Sequence, residues 1–171
     1  MNQRVKAFLG LLAGTAVLTG LDQWTKKLVV EKLMGNGPVV IWDGVFELLY
    51  SENRGAAFGM LQGKQGFFLI VAVCVFAAVV YAFWKLPENR RYLPLKACLV
   101  LIVSGAAGNL IDRVVQGYVV DFLYFKLIDF PIFNVADCYV TVATAILLFL
   151  LMFYYSDEEL EALSPRRKEQ A

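Results

Sequence analysis

Asp121, in Val119-Val120-Asp121-Phe122, and Asp137, in Asn134-Val135-Ala136-Asp137, are the residues of this chain best suited to do chemistry. Asp137 stands directly before an uncharged run from Cys138 to Tyr155. A carboxylate there lies at or just inside a bilayer boundary, where ionisable groups are costly and mark function. Asp121 comes 16 residues earlier, in a stretch rich in aromatic and β-branched side chains. If the two carboxylates meet, like charges resist joint ionisation and one keeps a proton. The ionised member can then take a proton from water while the protonated one donates to a carbonyl oxygen, which is enough to hydrolyse an amide. The chain has no histidine, which excludes a Ser-His-Asp triad, a Cys-His pair and a His-ligated zinc. Its three cysteines, Cys74, Cys98 and Cys138, lie in or at the edge of apolar runs without metal-ligand spacing. They read as small buried hydrophobes, so neither a metal nor a cofactor is expected.

The elements that must position these residues are membrane spans. Of 171 residues, 59% are hydrophobic and 18% charged, and the mean hydropathy of +0.60 is that of a membrane protein. A net charge of +1 makes no electrostatic case for nucleic acid. Four apolar segments stand out: Ala7–Leu21, Phe67–Trp84, Ala97–Ile111 and Cys138–Tyr155. Each of the second and fourth makes about 27 Å of helix, close to the thickness of a hydrocarbon core. The first could be read as a cleaved signal peptide, but three later spans and its run into Asp22 favour a retained helix. The expected fold is an all-α polytopic membrane protein, a four-transmembrane-helix bundle with a small extracytoplasmic β-sheet or hairpin. One domain, 1–155, would hold spans at about 7–24, 67–84, 97–113 and 137–155 and a β-rich loop at 36–60. A charged, solvated tail, 156–171, would follow.

Positive charge sets the orientation. Segments 1–6, 85–96 and 156–171 carry 2, 4 and 3 Lys or Arg, whereas the much longer 22–66 and 112–137 carry 5 and 2. Both termini are therefore expected in the cytoplasm and both long loops outside. That topology gathers Asp22, Gln23, Lys26, Asn53, Arg54, Asn109, Asp112, Arg113, Asp121, Asn134 and Asp137 in one outer-leaflet layer. Asn109, Asp112 and Arg113 share a helix face, and Asp22 and Lys26 are i, i+4 partners; the latter pair could equally be polar glue between helices. Ser104 with Gly108, and Gly105 with Asn109, have the small-residue spacing that admits a neighbouring helix. Val39–Trp42, Asp43-Gly44 and Val45–Tyr50 read as a hairpin with a two-residue turn, and Trp42, Phe46 and Tyr50 suit a headgroup layer. Gly55 and the alanines after it leave room for backbone to approach a ligand. Segment 119–131 is expected to add a strand or extended piece. A small transporter with an aspartate relay and a Ser-Lys protease using Ser51 or Ser104 with Lys26 are the rival readings, along with a non-enzymatic assembly subunit.

Five blocks, in order, resemble the signal peptidase II family, the lipoprotein signal peptidases of bacterial membranes. They are Asp22-Gln23-Trp24-Thr25-Lys26, Asn53-Arg54-Gly55-Ala56-Ala57-Phe58, Gly105 to Arg113, Val120-Asp121-Phe122 and Phe133 to Asp137. Ser104 departs from the pattern, standing where many members have a further glycine. The resemblance implies an aspartic endopeptidase of the cytoplasmic membrane whose substrate is a diacylglyceryl-modified prolipoprotein, cut just before the lipidated cysteine. It maps the catalytic pair onto Asp121 and Asp137, and the supporting positions onto Asp22, Lys26, Asn53, Gly55, Asn109, Asp112, Arg113 and Asn134. Membrane lipids are the other expected partner, and the working form is expected to be a monomer.

Overall fold

The computed structural model describes residues 2–55 and 63–161. Among them are four helices long and apolar enough to cross a membrane. The element order is α1 (Gln3–Leu33), β1 (Val39–Trp42), β2 (Phe46–Asn53), α2 (Gln65–Lys85), a 3-10 turn (Arg90–Tyr92), α3 (Leu93–Gln116), β3 (Val119–Phe125), a second 3-10 turn (Lys126–Ile128), α4 (Val135–Phe149), a π-helical turn (Leu150–Tyr154) and α5 (Asp157–Glu161). The helices bury their polar faces on one another and leave apolar faces such as Val17, Ile70, Val73 and Leu148 exposed, the inversion expected where lipid is the solvent.

α3 is the hub against which α1, α2 and α4 all pack. Its small residues are the reason. A Cβ on Gly105 would lie 2.5 Å from the Ala136 carbonyl oxygen, and one on Gly108 would collide with the Asp22 carboxylate. The small-residue spacing thus brings α4 and α1 onto the same stretch of α3. Pro94 in the first turn and Gly117 beyond the last, at φ +80°, begin and end α3 with the usual asymmetry.

α1 continues to Leu33, past the expected limit of 24. Residues 25–33 are too charged to look like a span, yet Asp22, Lys26, Val29 and Leu33 form one buried helical stripe. Val29 and Leu33 pack against Val120 and Phe122 of β3, so the end of α1 supports the sheet. That sheet is antiparallel, in the order β1-β2-β3. The hairpin turn differs from the expected two-residue form. Trp42 pairs with Phe46, so Asp43, Gly44 and Val45 form the connection. Gly44 takes φ +68° while Asp43 stays at negative φ, which rules out the turn in which both central residues are left-handed. After β3, Phe133 returns to bridge Leu123, its N–H 3.1 Å from the Leu123 carbonyl oxygen. This bridge leads the chain into α4 beside β3.

The opposite end of the bundle is closed by Leu86, Tyr92, Leu95, Leu150 and Tyr155, with the Tyr92 and Tyr155 rings stacked at 5.5 Å. The tail begins with α5, whose Asp157, Glu158 and Glu161 are exposed. Arg91 bonds Glu159 at 2.9 Å, and Leu160 packs on the aromatic cluster. Positions 162–171 lie outside the described residues, as do Ala56, Ala57 and Phe58.

Candidate active site

Two short segments carry the two carboxylates. Asp121 lies on β3 opposite Ser51 of β2. Asp137 is the third residue of α4. Asn134, fully buried, joins them. As the cap of α4 it accepts the Asp137 N–H on Oδ1 at 3.0 Å and gives its own backbone N–H to Asp137 Oδ2 at 3.1 Å. This is a reciprocal capping box. The Asn134 side-chain amide then donates to Asp121 Oδ1 at 2.6 Å and to Asn109 Oδ1 at 3.1 Å. Asn109 completes the circuit by donating to Asp137 Oδ1 at 2.8 Å.

The orientation of the Asn109 amide follows from its surroundings. Its Oδ1 accepts from the Lys26 ammonium at 2.9 Å as well as from Asn134, so its amide hydrogens must turn towards Asp137. Asn53 is fixed in the same way. Its Oδ1 accepts the Gly55 N–H at 3.0 Å in a local turn, which directs Nδ2 to Asp121 Oδ2 at 2.9 Å. Each carboxylate therefore receives a donor on both oxygens.

Beneath this layer lies an ion cluster. Lys26 Nζ is 2.9 Å from both Asp22 Oδ2 and Asp112 Oδ2, and all three side chains are almost completely buried. With two carboxylates on one ammonium, removing Lys26 would leave both buried carboxylates uncompensated. The cluster also holds the two segments in place. Asp22 Oδ1 accepts the Ala136 N–H at 2.9 Å, a negative charge at the positive start of α4. Asp112 Oδ2 accepts the Val120 N–H at 3.2 Å, which tethers the strand one residue before Asp121. The Asp22–Lys26 pair, which sequence spacing left open as simple glue, thus anchors α4, while Asp112 anchors β3.

Gln23, absent from the expected supporting set, cross-links the same cluster by donating to Asp112 Oδ1 at 2.8 Å and to the Gly108 carbonyl at 3.1 Å. Its place in the polar layer and in the block from Asp22 to Lys26 was the available signal. Arg113 donates to the Asn109 and Gly55 carbonyls and lies over the Phe68 ring at 4.3 Å, with its Nε buried and unpaired among the described residues. Phe68, on α2, carried no polar signal. Ser104 is ruled out as a partner for Lys26, because its hydroxyl donates to the Val100 carbonyl inside α3 at 2.6 Å.

The carboxylates open onto a cavity of about 780 Å³. Asn53, Asn109, Arg113, Asp121 and Asp137 supply its polar floor, and Phe68, Val119, Ile132, Phe133 and Val142 are among its apolar walls. Burial, and after it the charge of Asp137, push the Asp121 carboxyl up to about 6, against the downward pull of the Asn53 and Asn134 hydrogen bonds and the Lys26 charge. A carboxyl that stays protonated towards neutral pH beside a second carboxylate is equipped for general acid–base work.

A family model for signal peptidase II matches residues 14–153. A lipoprotein signal peptidase of Caldanaerobacter subterraneus is 48% identical over 81% of this chain and 92% of its own length. One from Clostridioides difficile is 42% identical over 82% of this chain and 93% of its own. Among solved structures, a bacterial membrane enzyme determined by the in meso method at 2.3 Å superposes with a TM-score of 0.72 and 27% identity. That match covers 95% of this chain and 94% of the other. A second such enzyme, at 1.9 Å, gives a TM-score of 0.73 at 29% identity over 85% of this chain. With its four membrane helices, its polar layer and these relatives, the chain is a multi-pass membrane peptidase belonging to the signal peptidase II family.

Proposed function

We propose that this peptidase removes the signal peptide from diacylglyceryl-modified prolipoproteins, cutting before the lipidated cysteine, with Asp121 and Asp137 as the acid–base pair. The observation that carries this reading is the Asn134–Asn109 circuit, which links the two carboxylates on the floor of a largely apolar cavity. One carboxyl of the pair holds the shared proton in the resting site, and burial beside the Asp137 charge favours Asp121 for that role. Asp137 takes a proton from a water whose oxygen bonds to the scissile carbonyl carbon, and Asp121 donates its proton to the carbonyl oxygen. Asp137 then gives its proton to the amide nitrogen as the C–N bond breaks, and Asp121 regains one from a hydroxyl of the gem-diol. Arg113 and the asparagine amides orient the carboxylates and the substrate backbone, while the apolar walls suit acyl chains. The curated relatives are lipoprotein signal peptidases, which supports this substrate. The charge distribution supports cytoplasmic termini and a site at the outer leaflet of the bacterial cytoplasmic membrane. The transporter reading has less support, because neither α2 nor the part of α4 beyond Asp137 carries an acid.

Asp121→Asn and Asp137→Asn are each expected to lower kcat on a diacylated prolipoprotein by about 10²–10⁴-fold while the protein still inserts and purifies as a folded species. Near-normal turnover by either variant would remove that aspartate from the mechanism.

A further inference from the structure

A second cavity, of about 420 Å³, lies at the opposite end of the bundle from the carboxylates. Its origin is a divergence of helices. At Gly14 a Cβ would come within 3.1 Å of Val100 on α3, so α1 and α3 nearly touch there. One turn earlier, at Gly10, a Cβ would meet nothing within 4 Å. α1 and α2 each pack on α3 but meet one another only sparsely, with Phe8 against Phe83 as one contact. The result is a wedge between three helices that widens towards the connection from α2 to α3.

The wedge has two kinds of wall. Along the helices it is apolar, with Ala7, Leu11, Ala97 and Val100. At its mouth stand Glu88, Asn89, Arg90 and Lys96. Lys96 is 7% exposed; among the described residues its ammonium donates to Glu88 at 2.7 Å and lies 5.3 Å over the Phe83 ring, which leaves donor capacity for a further acceptor. Arg90 is exposed and carries the net positive charge of the mouth. Water does not suit such a space, since each buried water needs two to four polar partners. In a bilayer, an apolar slot with a cationic mouth at the interface matches an acyl chain topped by an anionic headgroup.

We infer that this wedge is a binding site for an anionic phospholipid, with one acyl chain between α1, α2 and α3 and the phosphate at Arg90 and Lys96. The site is separate from the carboxylate cavity and takes its ligand from the surrounding membrane. Bound lipid fills the gap between α1 and α2 and braces the bundle.

Delipidated protein in a neutral detergent, titrated with phosphatidylglycerol or phosphatidylcholine, tests this through thermal unfolding and native mass spectrometry. Phosphatidylglycerol should raise the melting temperature by about 5 °C near saturation and remain bound in the gas phase, with phosphatidylcholine and the soluble glycerophosphoglycerol headgroup doing much less. Gly10→Leu, which fills the slot, should abolish the shift while peptidase activity persists. Arg90→Gln, on an exposed side chain, should erase the preference for the anionic lipid. Equal stabilisation by both lipids, an equal effect of the soluble headgroup, or an unaltered preference in Arg90→Gln would overturn the inference. If Gly10→Leu does not fold, Arg90→Gln alone decides.

Discussion

Replacing Asn53 by alanine should shift the pH dependence of catalysis in a known direction. Asn53 Nδ2 donates to Asp121 Oδ2 at 2.9 Å, and that bond favours the ionised carboxylate. A hydrogen bond to a charged group contributes ~1.5–3 kcal/mol, or roughly one to two units at 1.36 kcal/mol per unit. Asn53 is only half-buried, so water recovers part of the loss and about one unit is the better expectation. Asp121 already stands at about 6, and loss of a bond to the ionised form moves it upward. In the proposed mechanism the rate falls as the pair loses its last proton, so the falling limb of log kcat/KM should move about one unit to higher pH. The measurement is a pH–rate profile of purified wild type and Asn53→Ala on a fluorogenic diacylated lipopeptide. The height of the profile will also drop, because Asn53 orients Asp121, so only the position of the limb is diagnostic. A limb that stays in place or moves to lower pH would refute the assignment of the shared proton to Asp121.

Asn134→Ala removes both the cap of α4 and a donor to Asp121; unfolding in detergent should show a loss of about 2–4 kcal/mol, and activity should fall with it. Gly105→Ala should destabilise by about 1–3 kcal/mol through overpacking, because its methyl would lie 2.5 Å from the Ala136 carbonyl; a melting temperature equal to wild type would show that α4 can give way. Excess EDTA should leave turnover intact, since the chain offers no histidine and the proposed chemistry needs only carboxylates. EDTA inhibition reversed by added metal would replace the mechanism.

The second and fourth spans were legible from the sequence because uncharged runs of 18 residues have one stable home; the first and third are shorter and end in polar residues. The polar layer was legible because successive spans alternate in direction, which places Asp22, Asn109 and Asn134 at the same end of the bundle. The circuit was not. Periodicity puts Asn109 and Asp137 near each other in height, but the orientation of an amide depends on which neighbours claim its oxygen, here Lys26 and Asn134. The outer half of α1 was missed because Lys27, Glu31 and Lys32 hide a buried stripe of Val29 and Leu33. The hairpin turn was misjudged by one residue, since Asp-Gly marks a turn without setting the register of the strands around it.

The bond from Asp22 to the first turn of α4 has a consequence in time. A chain made from its N-terminus has Asp22 and Lys26 early, then α3, then Asp121. Asn134 and Asp137 follow, and the Ala136 N–H of α4 meets a carboxylate already present on α1. An unfinished chain therefore holds one aspartate of the proposed pair and no circuit. On the proposed mechanism, the peptidase gains its acid–base pair only when its final helix is in place.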